Sequence, residues 1–463
     1  MFEANIYTER RKILKDKLDS GIIVLFGNDE SPVNYAGNQY PFRQDSSFLY
    51  YFGIDRPGFV ATIDIDNNLE TIYGDDYSLE DSVWTGVQPT VNDLAETVGV
   101  KRASKLEKLT EQLVGAIKKS RKIRFLPQYR PENIIKLASI IGIQTSRIND
   151  YASEKLIKAV VAQRSIKSKE EIEEIDEAVD IAAKMHLSAM KMTKPEVDER
   201  KIAGMIEGIA MSLGSGLSFQ PIVSINGQIL HNPYYDNKLK EGKLLVNDSG
   251  AESLLHYASD ITRTIPVSGK FSDQQKEIYE IVLNAELNAI KLAAPGVTNK
   301  ALHLQAAKDI SEGLIKIGLM FGNAEEAVEA GAQGLFFPHG LGHMLGLDVH
   351  DMEGLGEDYV GYDESIQRSE QFGLNYLRLA KTLQPGFVLT IEPGIYFIPE
   401  LIDMWKTQNK FPEFINYDML QNYMDFGGVR IEDDILITDD GCRVLGSKPI
   451  PKTVKEIEAI VGK

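Results

Sequence analysis

His339-Gly-Leu-Gly-His343-Met-Leu-Gly-Leu-Asp-Val-His350 gathers three of the chain's seven histidines into one short, glycine-punctuated run. Asp248-Ser-Gly250 and Asp260-Ile-Thr-Arg263 come before it. Thr390-Ile-Glu392-Pro-Gly394 and Val429-Arg-Ile-Glu432-Asp433 come after it. Lys243–Asp248 and Tyr257–Val267 read as paired strands joined by a glycine-containing loop. Val388–Glu392 and Val429–Ile437 read as two further strands of the same sheet. A hairpin returns Asp248 and Asp260 to one face, where Glu392 and Glu432 would join them, and His343 adds a nitrogen donor. Oxygen donors dominate this set and no thiolate takes part, which suits hard or borderline divalent cations. Five ligands with four negative charges match two such cations, with one aspartate and one glutamate able to bridge. A pair of ions so held activates a water for hydrolysis near neutral pH.

Singly, each of these residues has an ordinary reading as a solvated strand acid, a turn glutamate or a surface histidine. Together they specify a metal centre. The remaining histidines read differently. His186 and His303 fall in helical stretches and His256 precedes the strand at Tyr257, so all three are read as structural.

The bulk composition narrows the function. A hydrophobic fraction of 43% is that of an ordinary globular protein. The formal net charge of -18 argues against nucleic acid, whose phosphates demand clustered Lys and Arg, and against an anionic membrane surface. Cys442 is the only cysteine, which excludes an intramolecular disulfide and a cysteine-based zinc site. The first residues lack the apolar core of a secretory signal, and no apolar run is long enough to span a bilayer. A soluble cytoplasmic protein is the expectation.

The length suggests more than one domain. Gly21-Ile-Ile-Val-Leu-Phe-Gly27 reads as a buried strand. Phe59–Ile65 and Leu69–Tyr73 read as a hairpin about Asp66-Asn67-Asn68. Asp64, Asp66 and Asn68 have the spacing of a calcium loop, but Leu69 stands where that loop needs glycine and Asp75 where it needs glutamate, so the hairpin is preferred. A boundary falls near residue 165, where Ser168-Lys-Glu-Glu171 forms a capping box ahead of apolar residues at helical spacing. The expectation is a first domain over 1–165 and a second over 166–463. Helices alternating with antiparallel strands make the second domain α+β. No tandem repeat at solenoid periods is seen. Residues 352–384 and 399–425 are irregular stretches long enough to be functional or disordered.

These motifs resemble one family. Asp248-Ser-Gly, Tyr257-Ala-Ser-Asp-Ile-Thr-Arg-Thr, Pro338-His-Gly-Leu-Gly-His, Leu347-Asp-Val-His-Asp, Ile391-Glu-Pro-Gly-Ile-Tyr and Gly428-Val-Arg-Ile-Glu-Asp are similar to those of the Xaa-Pro peptidases, aminopeptidase P and prolidase, among the pita-bread metallopeptidases. Tyr40-Pro-Phe-Arg-Gln-Asp-Ser-Ser-Phe-Leu-Tyr resembles the family's amino-terminal module. The resemblance implies a C-terminal pita-bread catalytic domain preceded by a smaller mixed α/β domain. It implies that Asp248 binds one metal, that Asp260 and Glu432 bridge, and that His343 and Glu392 complete the second site, with manganese as the usual ion. His231 and His350 match histidines that contact substrate and steady the tetrahedral intermediate. His339 matches a third histidine lining the pocket, and Arg430 an active-site arginine. Glu392 is the candidate proton shuttle. Asp351 is placed to orient the imidazole of His350.

Substrate choice within the family turns on the inserted stretches. Gly373–Gly386 looks like the eukaryotic-type prolidase loop, whose arginine, here Arg378, holds the free carboxylate of an Xaa-Pro dipeptide. Pro399–Gly428 resembles the same enzyme's insertion. An Xaa-Pro dipeptidase is therefore favoured. The alternative is an aminopeptidase P that trims the first residue from longer proline-containing peptides. A non-catalytic pita-bread binding module is a remote alternative, disfavoured because all five ligands are present. The resemblance also implies a homodimer, with a tetramer as the larger alternative. Trp84 resembles an N-domain aromatic of the family.

Overall fold

Ile22–Phe26 is buried along its whole length because it is the inner strand of a five-stranded mixed sheet. In the computed structural model, which describes residues Met1–Lys463, it runs antiparallel to Val60–Asp64 and parallel to Ile123–Arg124. Val60–Asp64 and Leu69–Tyr73 form the expected hairpin. Asp64 and Asp66 are not open to calcium there, since Arg121 pairs with both. Val24, Phe26, Leu113 and Leu137 form the core between this sheet and the helices Glu107–Lys118 and Pro131–Ile141.

The chain divides into two compact units. One comprises Met1–Arg164 with Gly354–Tyr359, the other Ser165–Glu353 with Val360–Lys463. The second opens with the helix Lys169–Met192, and its capping box is formed, Ser168 accepting from Glu171 N–H and Glu171 from Ser168 N–H. Ile175, Val179, Ala182, Met185 and Ala189 recur at helical spacing and are buried, which fixes the inward face.

The two halves of this unit are built alike, a duplication that the sequence reading missed. Helices Lys169–Met192 and Glu199–Leu213 are joined by Thr193–Asp198. Helices Asp273–Leu292 and Asn299–Lys316 are joined by Ala293–Thr298. Each connector has proline third and a left-handed residue fourth, Glu196 (φ 68°) in one and Gly296 (φ 86°) in the other. A strand pair follows in each half. Gly242 lies 6 residues before Asp248 and Asp260 9 before Gly269; Gly386 lies 6 before Glu392 and Glu432 9 before Gly441. The four carboxylates thus occupy equivalent places. The duplication escapes a search for fixed periods because 12 residues separate Asp248 from Asp260, whereas 40 separate Glu392 from Glu432.

The strands do not form the single sheet expected. Leu244–Ser249 lies between Ile261–Pro266 and Ile222–Ser224. Asp433–Ile437 lies between Val388–Ile391 and Cys442–Val444. Gly394–Tyr396 pairs with Gly428–Arg430. A single bridge, Thr262 to Glu432, ties the first of these sheets to the chain entering the second, and another, Met344 to Leu389, ties the histidine loop to Val388–Ile391. The strands are interrupted where three of the four acids sit, while Asp248 lies within Leu244–Ser249. Asp260 immediately precedes its strand, Glu392 follows one, and Glu432 falls between two. Such breaks free side chains from a pleat that would otherwise alternate them between faces.

The stretches expected to be irregular hold short helices, Glu357–Gly361 in one and Pro399–Thr407 and Tyr417–Leu420 in the other. The latter insertion is anchored by buried Trp405, which lies against Phe372 and Phe411.

Candidate metal centre

Two glycines explain how the backbone packs tightly enough to bring the acids together. A Cβ at Gly250 would lie 1.7 Å from the Ser259 carbonyl oxygen, and one at Gly342 would lie 1.9 Å from that of Thr390. Asp248-Ser-Gly250 can therefore cross behind Asp260. Gly342 lets the histidine loop lie on the strand Val388–Ile391, where the Thr390 N–H donates to the His343 carbonyl at 3.0 Å.

The structure brings Asp260, His343 and Glu432 together, each with a ligand atom within 4.8 Å of the others'. His343 Nε2 lies 3.4 Å from Asp260 Oδ2 and 3.8 Å from Glu392 Oε1. Its Nδ1–H donates to the Met344 carbonyl at 3.1 Å, which leaves the Nε2 lone pair facing the acids. The backbone N–H of Glu432 donates to the Thr262 carbonyl, and Thr262 Oγ1 donates to Glu432 Oε2 at 2.7 Å. Asp248 turns to Arg430, which takes its Oδ2.

One oxygen on each of Asp248, Asp260 and Glu432 is buried with no hydrogen-bond partner. Buried polar atoms are rarely left so. Burial pushes the carboxyls of Asp260 and Glu432 well above the usual range, and the neighbouring acids add repulsion. Burial raises Glu392 as well, while His343 and Arg430 oppose the shift. A crowd of buried carboxylates with unsatisfied oxygens and an aligned imidazole fits divalent cations, which would remove both penalties.

Around this cluster lie the other residues singled out in the sequence. Arg430 donates to Tyr396 Oη at 2.7 Å and to Thr262 Oγ1 at 3.3 Å. Tyr396 in turn is 2.9 Å from His339 Nε2, and His339 Nδ1–H donates to the Gly340 carbonyl at 2.8 Å. Burial and the nearby Arg430 hold the His339 imidazole down to about 3, so it is neutral. The His350 ring lies 4.1 Å from that of His343, centroid to centroid. His231 is exposed on a turn. Burial of part of its ring and the charge of Arg430 lower its affinity for a proton, and Asp248, Arg378 and His350 also act on it.

One expected partnership is overturned. Asp351 does not orient His350. It is buried and pairs with Lys167 Nζ at 3.0 Å. His350 Nδ1 lies instead 3.2 Å from Glu353 Oε2. The left-handed turn at Met352 (φ 63°) brings residue 353 back over the imidazole.

Three supporting residues were missed although they lie in or next to the motifs. Asp434 accepts the Asp260 N–H at 2.9 Å. Arg263 is fully buried and donates to the Glu432 carbonyl at 2.7 Å, to Asp433 Oδ1 at 2.6 Å and to the Pro451 carbonyl at 2.9 Å, so it fixes the backbone of Glu432 from behind. Tyr396 links Arg430 to His339. Their charges and hydroxyls were the available signal, but no spacing rule connects them to partners so distant in sequence.

His186 is walled in as expected, with Nε2 3.1 Å from the Ser249 carbonyl and Nδ1 3.0 Å from Asn247 Nδ2. His256 Nδ1 lies 2.6 Å from Glu252. His303 stacks on Phe337 at 5.1 Å. Burial alone pushes His303 down to about 4, which gives a test. The unfolded chain takes up this proton below about pH 6.5, whereas the folded chain resists until about pH 4. Stability contributed here is therefore lost as pH falls through that window. Urea titrations should show the stability of wild type relative to His303→Gln decreasing by about 2 kcal/mol from pH 6.5 to pH 5. Parallel pH profiles for the two proteins would contradict a neutral buried His303.

With this geometry in place, likenesses to known proteins bear on the chemistry. Residues 173–439 match metallopeptidase family M24, and residues 7–124 match the aminopeptidase P N-terminal domain. The human Xaa-Pro dipeptidase is 32% identical over 95% of this chain and 88% of its own length. A probable Xaa-Pro aminopeptidase of Uncinocarpus reesii is 30% identical over 96% of this chain and 90% of its own. Among solved structures, Pseudomonas aeruginosa aminopeptidase PepP superposes with a TM-score of 0.81 at 28% identity, covering 99% of this chain and 98% of that one. Zinc-substituted Escherichia coli aminopeptidase P in complex with product gives 0.80 at 28% identity over the same shares.

Proposed function

Since the chain belongs to metallopeptidase family M24 and is an Xaa-Pro metallopeptidase, we propose that it acts as an Xaa-Pro dipeptidase, a prolidase. Its architecture is α+β, a pita-bread catalytic domain preceded by a smaller mixed domain of the aminopeptidase P type. We assign the N-terminal domain to residues 1–165 and the catalytic domain to 166–463, which the division of the chain at Arg164 and Ser165 supports.

Divalent metal ions belong to this family's chemistry, and the site has the donors for them. In this reading Asp248, Asp260, His343, Glu392 and Glu432 would hold the ions. Manganese suits a set of carboxylates with one imidazole. Ions bound there supply an activated water and polarise the scissile carbonyl. The chain does the rest. His231 and His350 stabilise negative charge developing on the carbonyl oxygen. Glu392, whose carboxyl burial makes easier to protonate, carries a proton to the leaving proline nitrogen. His339 and Arg430 line the substrate pocket. Proline lacks an N–H and fixes φ, so a protease that holds its substrate as an added strand loses a hydrogen bond at this residue, and a dedicated enzyme is needed.

Arg378 carries the choice of dipeptides. Its side chain is about a third exposed (37%) and its charge acts on His231 and Glu392, so it faces the site rather than bulk solvent alone. A dipeptide presents a carboxylate just beyond its proline ring, whereas a longer peptide presents a neutral amide. A charged hydrogen bond to that carboxylate contributes about 1.5–3 kcal/mol, or roughly 10–150-fold in preference. Arg378→Ala should remove most of this preference, raising KM for Gly-Pro while sparing Gly-Pro-Xaa tripeptides. Arg378→Lys should recover part of it, because a point charge cannot offer a fork. A wild-type enzyme that already prefers the tripeptide would make the protein an aminopeptidase P, with the metal centre unchanged.

We further take the enzyme to be a homodimer. Leu79, Trp84 and Val87 of the N-terminal unit are 87%, 82% and 91% exposed, and large apolar side chains so close together call for a cover. A cytoplasmic setting agrees with a single cysteine, Cys442. No helix is long and apolar enough to cross a membrane.

A further inference from the structure

Glu353 is an acid beside His350 and Arg378 with no place in the metal cluster or the proton path. One of its oxygens, Oε2, serves two cations or donors at once: His350 Nδ1 at 3.2 Å and Arg378 Nη1. The other, Oε1, is buried with no hydrogen-bond partner. Burial works against its charge, but His350 and Arg378 outweigh burial and hold the carboxyl below its ordinary value, so the group is an anion. Arg378 thus already carries a carboxylate, and it comes from the protein rather than from a substrate.

We propose that Glu353 is a specificity-determining residue that weighs a free C-terminus against an extended one: it competes with a dipeptide's terminal carboxylate for Arg378 and offers its open oxygen to the N–H that follows proline in a longer peptide. The two effects have the same sign. A dipeptide brings a second anion to a guanidinium whose fork is partly used, and like charges this close repel. A tripeptide brings a neutral amide whose N–H is a donor for a buried, unsatisfied acceptor, and satisfying such an atom is favourable. Glu353 therefore moderates the dipeptide preference that Arg378 alone would impose, and sets how far the enzyme also accepts longer Xaa-Pro peptides. This inference rests on the reading of Arg378 as the carboxylate receiver.

The test is the ratio of kcat/KM for Gly-Pro to kcat/KM for Gly-Pro-Gly, measured on the manganese-loaded enzyme. Glu353→Gln keeps size and hydrogen-bonding capacity and removes the charge. The ratio should rise about tenfold, one step of 1.4 kcal/mol. Glu353→Asp keeps the charge but withdraws it by one methylene, and should raise the ratio by less. A role confined to orienting His350 would lower kcat for both peptides together and leave the ratio where it was. An unchanged or lowered ratio in both variants overturns the proposal. The two ideas fail separately. If Arg378→Ala lowers the ratio while the Glu353 variants leave it unmoved, Arg378 receives the carboxylate and Glu353 has no say in it. If Arg378→Ala leaves the ratio unmoved, the dipeptidase reading itself fails. The double variant should show the effect of Glu353→Gln shrinking once Arg378 is gone, since residues acting on one ligand group are not additive; full additivity would count against the proposal.

Discussion

Asp260→Ala is expected to lower turnover of Gly-Pro by about 10³-fold or more, on the scale of removing the main electrostatic contribution to catalysis. Bound metal per chain should fall with it. The fold should survive. In the metal-free protein Asp260 is a buried carboxyl crowded by Asp248, Asp434 and Glu392, and burial with repulsion pushes it well above its ordinary value. Its removal relieves that crowding, so the metal-free variant should melt no lower than metal-free wild type. Circular dichroism, a thermal melt with chelator present and a metal assay separate these effects. An Asp260→Ala enzyme with full activity and full metal content would remove the basis for the centre.

His350→Ala is expected to act differently. His350 lies ring to ring with the proposed ligand His343, centroids 4.1 Å apart, but outside the cluster of candidate ligand atoms. The variant should keep its metal and lose stabilisation of the developing oxyanion, with kcat falling by about 10²–10³. His303→Gln, which alters a ring stacked on Phe337, is the matched control and should leave kcat near wild type. Equal losses at His350 and His303 would mean that packing, not chemistry, is being measured. Loss of metal from His350→Ala would place the residue among the ligands.

Much of this arrangement was legible in the sequence because it is written in short contiguous motifs. Asp260, His343, Glu392 and Glu432 each sit beside glycine or at a break between strands, Asp248 lies two residues before Gly250, and local chemistry of that kind survives without knowledge of the fold. The buried strand Ile22–Phe26, the hairpin at Asp66 and the capping box at Ser168 followed from equally local rules. What failed was everything that depends on distance. One sheet was expected where the strands fall into three small sheets, since alternation patterns do not say which strands pair. The duplication of the catalytic unit was hidden by the insertion between Glu392 and Glu432. That insertion holds its shape through Trp405, Phe372 and Phe411, whose contacts have no period. Asp351 and Glu353 are both acids near His350, and only the left-handed turn at Met352 decides which reaches the imidazole. Arg263 could not be seen as the prop of Glu432, because its partners lie about 170 and 190 residues away.

The most direct measurement pairs metal content with bond specificity on one preparation. The protein is stripped with a chelator, reloaded with manganese and assayed for bound metal, and then offered Gly-Pro, Gly-Pro-Gly and Gly-Ala. The expected result is two divalent ions per chain, cleavage of the bond before proline only in the reloaded protein, and no comparable cleavage of Gly-Ala. Hydrolysis that continues in the stripped protein, or a reloaded protein that holds its ions and leaves both proline peptides intact, would contradict a metal-dependent Xaa-Pro peptidase built on Asp248, Asp260, His343, Glu392 and Glu432.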